Sequence, residues 1–495
     1  MRIKKAALDK DLKKLQRLED STRAQSLGFL APGIAFVFLA LSALFASLQA
    51  GAETNTAILV AAAILAGYMA LNIGANDVAN NVGPAVGARA ITMFGAIIVA
   101  AIFESAGALL AGGDVVKTIS KGIIAPDAVA DGQQFIIIMM AALCSAAVWV
   151  NLATYIGAPV STTHAVVGGV VGAGVAAVGA GLINWPIMMA IAASWVISPL
   201  IGGGVAALFL AIVKFNIIYK KDKISAARVW VPALVAIMAA AFTAYLMLKG
   251  FKHVYRISPP IIAGLSLAVL IVSFLVLKPI IHRQSEGLEN RNQSLRKLFR
   301  IPLIVSAALL SFAHGANDVA NAVGPLAGIF DSLKTGHVSS SVSVPFWIMV
   351  IGAIGISMGL FLFGPRLIRT VGERITRLNP IRAFCVALSA AITVIAASAL
   401  GLPVSSTHIA VGAVFGVGFY REYFITHSPV RRRYLEAKGL AAGSDVRPML
   451  SEQEVIKRKL VRRSHFTVII AAWLITVPAA ALLSAMIYVL LTFIM

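Results

Sequence analysis

The chain has 495 residues, of which 59% are hydrophobic and 13% charged, with a formal net charge of +21. A mean hydropathy of +0.88 and repeated apolar runs of about 20 residues exclude an ordinary soluble domain and describe a polytopic membrane protein. The basic excess lies between the apolar runs, as in cytoplasmic loops, so nucleic acid is set aside as a partner and the lipid bilayer is the expected one.

Residues 1–50 open with a mixed segment in which Arg2, Lys4, Lys5, Lys10, Lys13, Lys14, Arg17 and Arg23 alternate with Asp9, Asp11, Glu19 and Asp20, then run into an apolar stretch from 27 to about 48. A cleaved signal peptide has a short basic start and a small-residue cleavage site, and neither is clear, so the reading is a cytosolic helix followed by a retained span. The loop 51–56 lacks Lys and Arg, which places it outside if the N-terminus is cytoplasmic.

Residues 51–228 form a first repeat. Its opening helix carries Gly74-Ala75-Asn76-Asp77-Val78-Ala79-Asn80-Asn81-Val82-Gly83-Pro84. A charged Asp at membrane depth costs about 2.5–3.5 kcal/mol even on lenient insertion scales, so it needs a cationic partner. The glycines and proline predict an interrupted helix, tolerated where freed backbone lines a cavity. An apolar helix 92–112 holding Glu104 follows, then a polar connector 113–134, a helix to about Tyr155, and a second interruption at Pro159-Val160-Ser161-Thr162-Thr163-His164. Cys144 and Cys385 lie in apolar segments without metal-type spacing and read as packing residues.

Residues 229–300 add two connecting spans and a basic loop with Arg283, Arg291, Arg296, Lys297 and Arg300. Residues 301–495 then repeat the pattern: Gly315-Ala316-Asn317-Asp318-Val319-Ala320-Asn321-Ala322-Val323-Gly324-Pro325, an apolar helix 344–363, an Arg-rich loop, Pro403-Val404-Ser405-Ser406-Thr407-His408, and a basic loop over 421–465. Both motif pairs share an offset of roughly 240 residues, which is one duplication. Arg366, Arg369, Arg374, Arg377 and Arg382 correspond to a connector holding only Lys117 and Lys121 against Asp114, Asp127 and Asp131. By the positive-inside rule the two copies are therefore upside down relative to each other. The predicted fold is all-α and polytopic, with two inverted-topology repeats, broken or re-entrant helices and about 11–13 membrane segments.

Asp77 and Asp318 are acceptor-only when ionised, and the preceding Asn76 and Asn317 add amide groups. Carboxylate, amide and backbone oxygens suit a hard cation such as Na⁺, giving one site per repeat. The alternative is that each Asp caps a half-helix. Asn80 and Asn321, one turn later, extend the cation site or serve as interhelical bonds. The hydroxyls of Ser161, Thr162, Thr163, Ser405, Ser406 and Thr407 sit at helix starts, where free N–H groups favour a tetrahedral oxyanion; Asn76 and Asn317 are grouped with them. Ordinary capping is the competing reading. His164 and His408 are accessory candidates or interhelical bonds. Glu104 aligns with about Ile356 and so lacks a mate, which suggests a coupling role, against a salt bridge to Arg89 or another neighbour. His314 also lacks a mate and receives no role.

These motifs, Gly-Ala-Asn-Asp-Val-Ala-Asn twice and Pro-Val-Ser-Thr-Thr-His with Pro-Val-Ser-Ser-Thr-His, resemble those of the inorganic phosphate transporter (PiT) family of secondary carriers, from about residue 57 onward. Residues 1–50 stand as additions to that core. The resemblance implies phosphate uptake coupled to Na⁺ or H⁺, no organic cofactor and no enzyme activity, with the Asn-Asp pairs and hydroxyl clusters meeting near the midplane. Sulfate transport is the near competitor, and an uncoupled anion channel would share the helix-end site. An intramembrane aspartyl protease is disfavoured because its Tyr-Asp and Gly-x-Gly-Asp contexts are absent. The expected location is a bacterial inner membrane, and a homo-oligomer is compatible with the reading.

Overall fold

The computed structural model describes residues 30–51, 55–125, 129, 131–156, 160–250, 257–338, 344–370, 378–429, 433 and 463–494. The helix expected within 1–26, Pro159 and most of the 421–465 loop lie outside these. The described chain is helical, apart from an isolated antiparallel bridge between Ile124 and Ile183. Eleven of its helices are long and apolar enough to cross a membrane, and such a chain must satisfy its backbone groups within helices.

After α1 (Leu30–Gln49) come α2 (Thr56–Asn76), α3 (Val78–Gly87), α4 (Met93–Ala111) and the short α5 (Gly113–Lys117), which runs into a π-turn, Thr118–Gly122. The next are α6 (Gly132–Ile156), α7 (Thr162–Val178), α8 (Trp185–Val213), α9 (Lys223–Tyr245) and α10 (Pro259–Ser285). The second half holds α11 (Asn292–Leu298), α12 (Arg300–Thr335), α13 (Phe346–Thr370), α14 (Pro380–Ala399), α15 (Ser406–His427) and α16 (Arg463–Thr492). Polar side chains begin many of them: Asn55, Thr92, Asn184, Asp222 and Asn379 each accept a first-turn N–H, satisfying donors that have no intrahelical partner.

The halves interlock instead of lying side by side. Helix α2 crosses α13 where Gly74 meets the Ile356 carbonyl, and α12 crosses α4 where Gly315 meets the Glu104 carbonyl. Likewise α7 meets α16 at Gly172 and Ala481, while α15 meets α8 at Gly416 and Gly203. A Cβ at any of these glycines would overlap facing backbone, so the small residue permits the close approach that substitutes for a hydrophobic drive between membrane helices. Helix α12 is buried along most of its length, whereas α10 buries only Ile262, Ile281 and Ser285 and turns Leu265, Leu267, Ile271 and Leu275 outward, as a lipid-facing helix does.

The two Asn-Asp motifs differ in a way the sequence reading missed. The first interrupts its helix at Asp77, between α2 and α3, but the second lies in the unbroken 36-residue α12. The second copy also differs in carrying His314, whose Nε2 lies 2.8 Å from Asp318 Oδ2, four residues on, at the i,i+4 spacing that brings side chains together on one helix face. The position equivalent to His314 in the first copy is Ile73.

Candidate functional site

Asp77 sits at a one-residue interruption: its N–H reaches Ile73 O at 2.9 Å, and its carbonyl accepts from Asn80 N at 3.0 Å. Its carboxylate receives the Thr162 hydroxyl at 2.9 Å and the Thr407 hydroxyl at 3.3 Å, one from each half of the chain. Asp318 is built similarly, receiving Ser406 Oγ at 3.4 Å. Asn80 Nδ2 donates to Thr407 Oγ1 at 2.9 Å, and Asn321 Nδ2 donates to Thr163 at 3.1 Å and Thr162 at 3.3 Å. Asp77, Asp318, Asn80, Asn321, Thr162, Thr163, Ser406 and Thr407 therefore meet in one pseudo-symmetric cluster, buried apart from the half-buried Asn80.

The hydroxyls divide by role. Ser161 and Ser405 are N-caps, accepting from His164 N at 3.2 Å and His408 N at 3.3 Å. Thr163 donates to Val404 O at 3.1 Å. Asn76 donates to Thr154 at 2.9 Å. Its mate Asn317 donates to Ser398 at 2.9 Å and Leu402 O at 3.1 Å, and accepts from Val404 N at 3.1 Å. Asn317 thus clamps the bend between α14 and α15, where Gly401 at φ 68° ends α14 in the left-handed conformation that favours glycine. His164 and His408 meet with ring centroids 4.5 Å apart, and Trp195 lies 3.9 Å from His164 while donating to Pro403 O at 3.1 Å.

Glu104 belongs to the same cluster. Asn81 Nδ2 donates to its Oε1 at 2.8 Å, and its Oε2 lies 2.6 Å from His314 Nδ1. The salt-bridge alternative thus falls on His314 and not on Arg89. His314, unassigned from the sequence, bridges Glu104 and Asp318 with no exposed side-chain surface. Its spacing of four residues before an intramembrane Asp was the available signal.

One ligand atom from each of Asp77, His314 and Asp318 lies within 4.8 Å of the others. Asp318 Oδ1 and Asn321 Oδ1 accept no hydrogen bond from the described residues, leaving hard oxygen donors on the cluster, the chemistry that suits Na⁺. Among the described residues the buried lysines lie elsewhere: Lys121 pairs with Asp331 at 2.7 Å, Lys214 stands over Tyr420 and Phe424, and Lys223 donates to Lys220 O.

A sequence model described as the phosphate transporter family matches residues 73–484. A Helicobacter pylori (strain J99) protein named "Putative phosphate permease" is 45% identical over 530 aligned positions, covering 98% of this chain and 99% of its own. A protein of the same name from Chlamydia trachomatis is 38% identical over 445 positions, covering 86% of this chain and 96% of its own. The solved structure titled "The sodium-dependent phosphate transporter" superposes with a TM-score of 0.76 at 35% identity, covering 89% of this chain and all of that one. With the duplicated Asn-Asp cluster at its centre, the chain belongs to the phosphate transporter family.

Proposed function

We propose that this phosphate transporter is a cation-coupled symporter that imports phosphate across the cytoplasmic membrane by alternating access, with Na⁺ as the coupling ion. The observation that carries the reading is the convergence of Asp77, Asp318 and Glu104 on one buried cluster with a single histidine among them. Phosphate brings one or two further negative charges, and such a set repels it unless cations bind first. Symport follows from that order of binding. The likeness to a structure titled as sodium-dependent supports Na⁺ over H⁺.

Asp77, Asp318, Asn80 and Asn321 hold the cation in this reading, and Glu104 tunes it through His314. The first turns of α7 and α15, with Thr162, Thr163, Ser406 and Thr407, face the anion through N–H groups that helix geometry leaves without intrahelical partners. Asn76, Asn317, Ser161 and Ser405 position those turns. Residues 51–228 and 301–495 are two oppositely oriented repeats, one helical bundle moves against the other around the shared site, and the excess of basic residues supports a cytoplasmic position for the basic connectors.

The test is radiolabelled phosphate uptake into proteoliposomes, comparing inward Na⁺ and proton gradients with sulfate as competitor. Accumulation driven by Na⁺ and indifferent to sulfate is the expected result. Accumulation driven only by protons reassigns the coupling ion, suppression by sulfate reassigns the substrate, and equilibration without accumulation indicates a channel.

A further inference from the structure

We infer that Asn72 and Asn151 line the route by which Na⁺ passes between solvent and Asp77, an inference that rests on the Na⁺-symport reading. Helix α2 presents Asn72 and Asn76 one turn apart on the side facing α6. Asn151 Nδ2 donates to Asn72 Oδ1 at 3.2 Å, Asn72 Nδ2 to Ala147 O at 3.3 Å, and Asn76 Nδ2 to Thr154 Oγ1 at 2.9 Å. Exposure falls along this line: Asn151 is exposed, Thr154 is half-buried, and Asn72, Asn76 and Asp77 are buried. Amide groups therefore lead stepwise from the surface to the carboxylate.

The second half lacks this line. Its Asn317 donates to Ser398 as Asn76 does to Thr154, so the inner rung is duplicated. The positions corresponding to Asn72 and Asn151 are Ala313, which is fully buried, and Ile395, which packs against the Ala111, Tyr245 and Phe312 cluster. If interhelical bonding were the sole use of the amides, the duplicated architecture would need them in both halves; it holds without them in one.

The surroundings of the two helix tips agree. The backbone of the bend after α14 is tied to its neighbours: Lys249 Nζ donates to Ala399 O at 2.7 Å and to Asp114 Oδ2 at 3.0 Å, and Thr118 Oγ1 donates to Gly401 O at 2.7 Å. Both tips turn an apolar residue outward, Ile156 at 70% and Leu400 at 75% of full exposure; the end of α6 adds Tyr155 at 90%, where the second half has the half-buried Ala399. An asparagine displayed at membrane depth is costly against lipid and inexpensive against a water-filled vestibule, and its carbonyl oxygen is a hard donor that a partly dehydrated Na⁺ accepts.

Asn151 is exposed, so its replacement tests the route with little risk to packing. In proteoliposomes at saturating phosphate, Asn151→Leu is expected to raise the half-saturating Na⁺ concentration about tenfold while leaving phosphate half-saturation at high Na⁺ within about twofold. Asn151→Asp, which keeps an oxygen donor and adds charge, is expected to lower it. Variants with wild-type Na⁺ half-saturation, in protein whose wild type is Na⁺-driven, would overturn this inference alone. Wild-type uptake indifferent to Na⁺ would overturn the coupling assignment and the route together. Should the leucine variant fail to fold, the aspartate variant decides: an unchanged Na⁺ half-saturation still overturns the route.

Discussion

Thr407 donates its hydroxyl to Asp77 at 3.3 Å while accepting from Asn80 at 2.9 Å, so a residue heading α15 in the second half completes the carboxylate site of the first. A site assembled across the halves responds when either moves, which is the mechanical requirement of coupling. Thr407→Val is expected to reduce Na⁺-driven uptake about tenfold, the loss of one charge-assisted hydrogen bond. Thr407→Ser, which keeps the hydroxyl, should retain most of it; equal losses would show that the methyl group matters and the hydrogen bond does not.

Asp77→Asn and Asp318→Asn each remove a negative charge with little change of shape. Both are expected to abolish concentrative uptake, reducing it by about a hundredfold or more, because the cation loses its main counter-charge. Full accumulation by both variants in the proteoliposome assay would remove the cation-site assignment.

His314 and Glu104 form a buried pair whose corresponding positions in the other copy are Ile73 and Ile356. Removing one member of a buried pair is costly, about 3–5 kcal/mol, whereas replacing both by apolar residues is far cheaper. His314→Ile alone should therefore lower thermal stability strongly. Adding Glu104→Ile should recover part of the loss, because Asp318 still lacks His314 and Asn81 loses its acceptor, while transport stays impaired. A double variant less stable than either single one would contradict the pairing.

Lys249 ties Asp114 and the Ala399 carbonyl together, and both ionic partners are partly exposed. The pair is worth at most about 1 kcal/mol to stability, so its removal should act on conformation before it acts on folding. Labelling of a cysteine introduced by Ala397→Cys, at a buried position, should quicken in a Lys249→Ala background, and Lys249→Arg, which keeps a donor for both oxygens, should leave it slow. Unchanged labelling would mean that the contact does not hold the bend closed.

Gly315 lies against the Glu104 carbonyl at the crossing of α12 and α4. Gly315→Ala should force the helices apart at the site itself, costing about 1–3 kcal/mol, and the loss should appear in both melting temperature and uptake. Gly264, with open space around it on lipid-facing α10, is the control: Gly264→Ala should leave uptake unchanged and should not lower the melting temperature.

Much of the site was legible before any tertiary information. An Asp inside an apolar run is so unfavourable that its duplication at Asp77 and Asp318 already implied a cation, and a proline followed by hydroxyls at 159–163 and 403–407 already implied helix starts. The division among the hydroxyls was not legible. Ser161 and Ser405 cap while Thr162, Ser406 and Thr407 turn to carboxylates, a difference set by side-chain direction on the first turn.

Two other features were decided only by packing. The unbroken α12 and the Glu104–His314–Asp318 bridge depend on α4 lying across α12 at Gly315, a contact between residues far apart in the chain. Composition and spacing determined the membrane class, the duplication and the Asn-Asp and Pro-Val-Ser motifs, because those follow from local transfer and backbone energetics. Which carboxylate faces which helix, and that each half completes the other's site, was decided by the interlocked crossings, because hydrogen bonds and ion pairs act over about 3 Å and need the tertiary fold to bring their partners together.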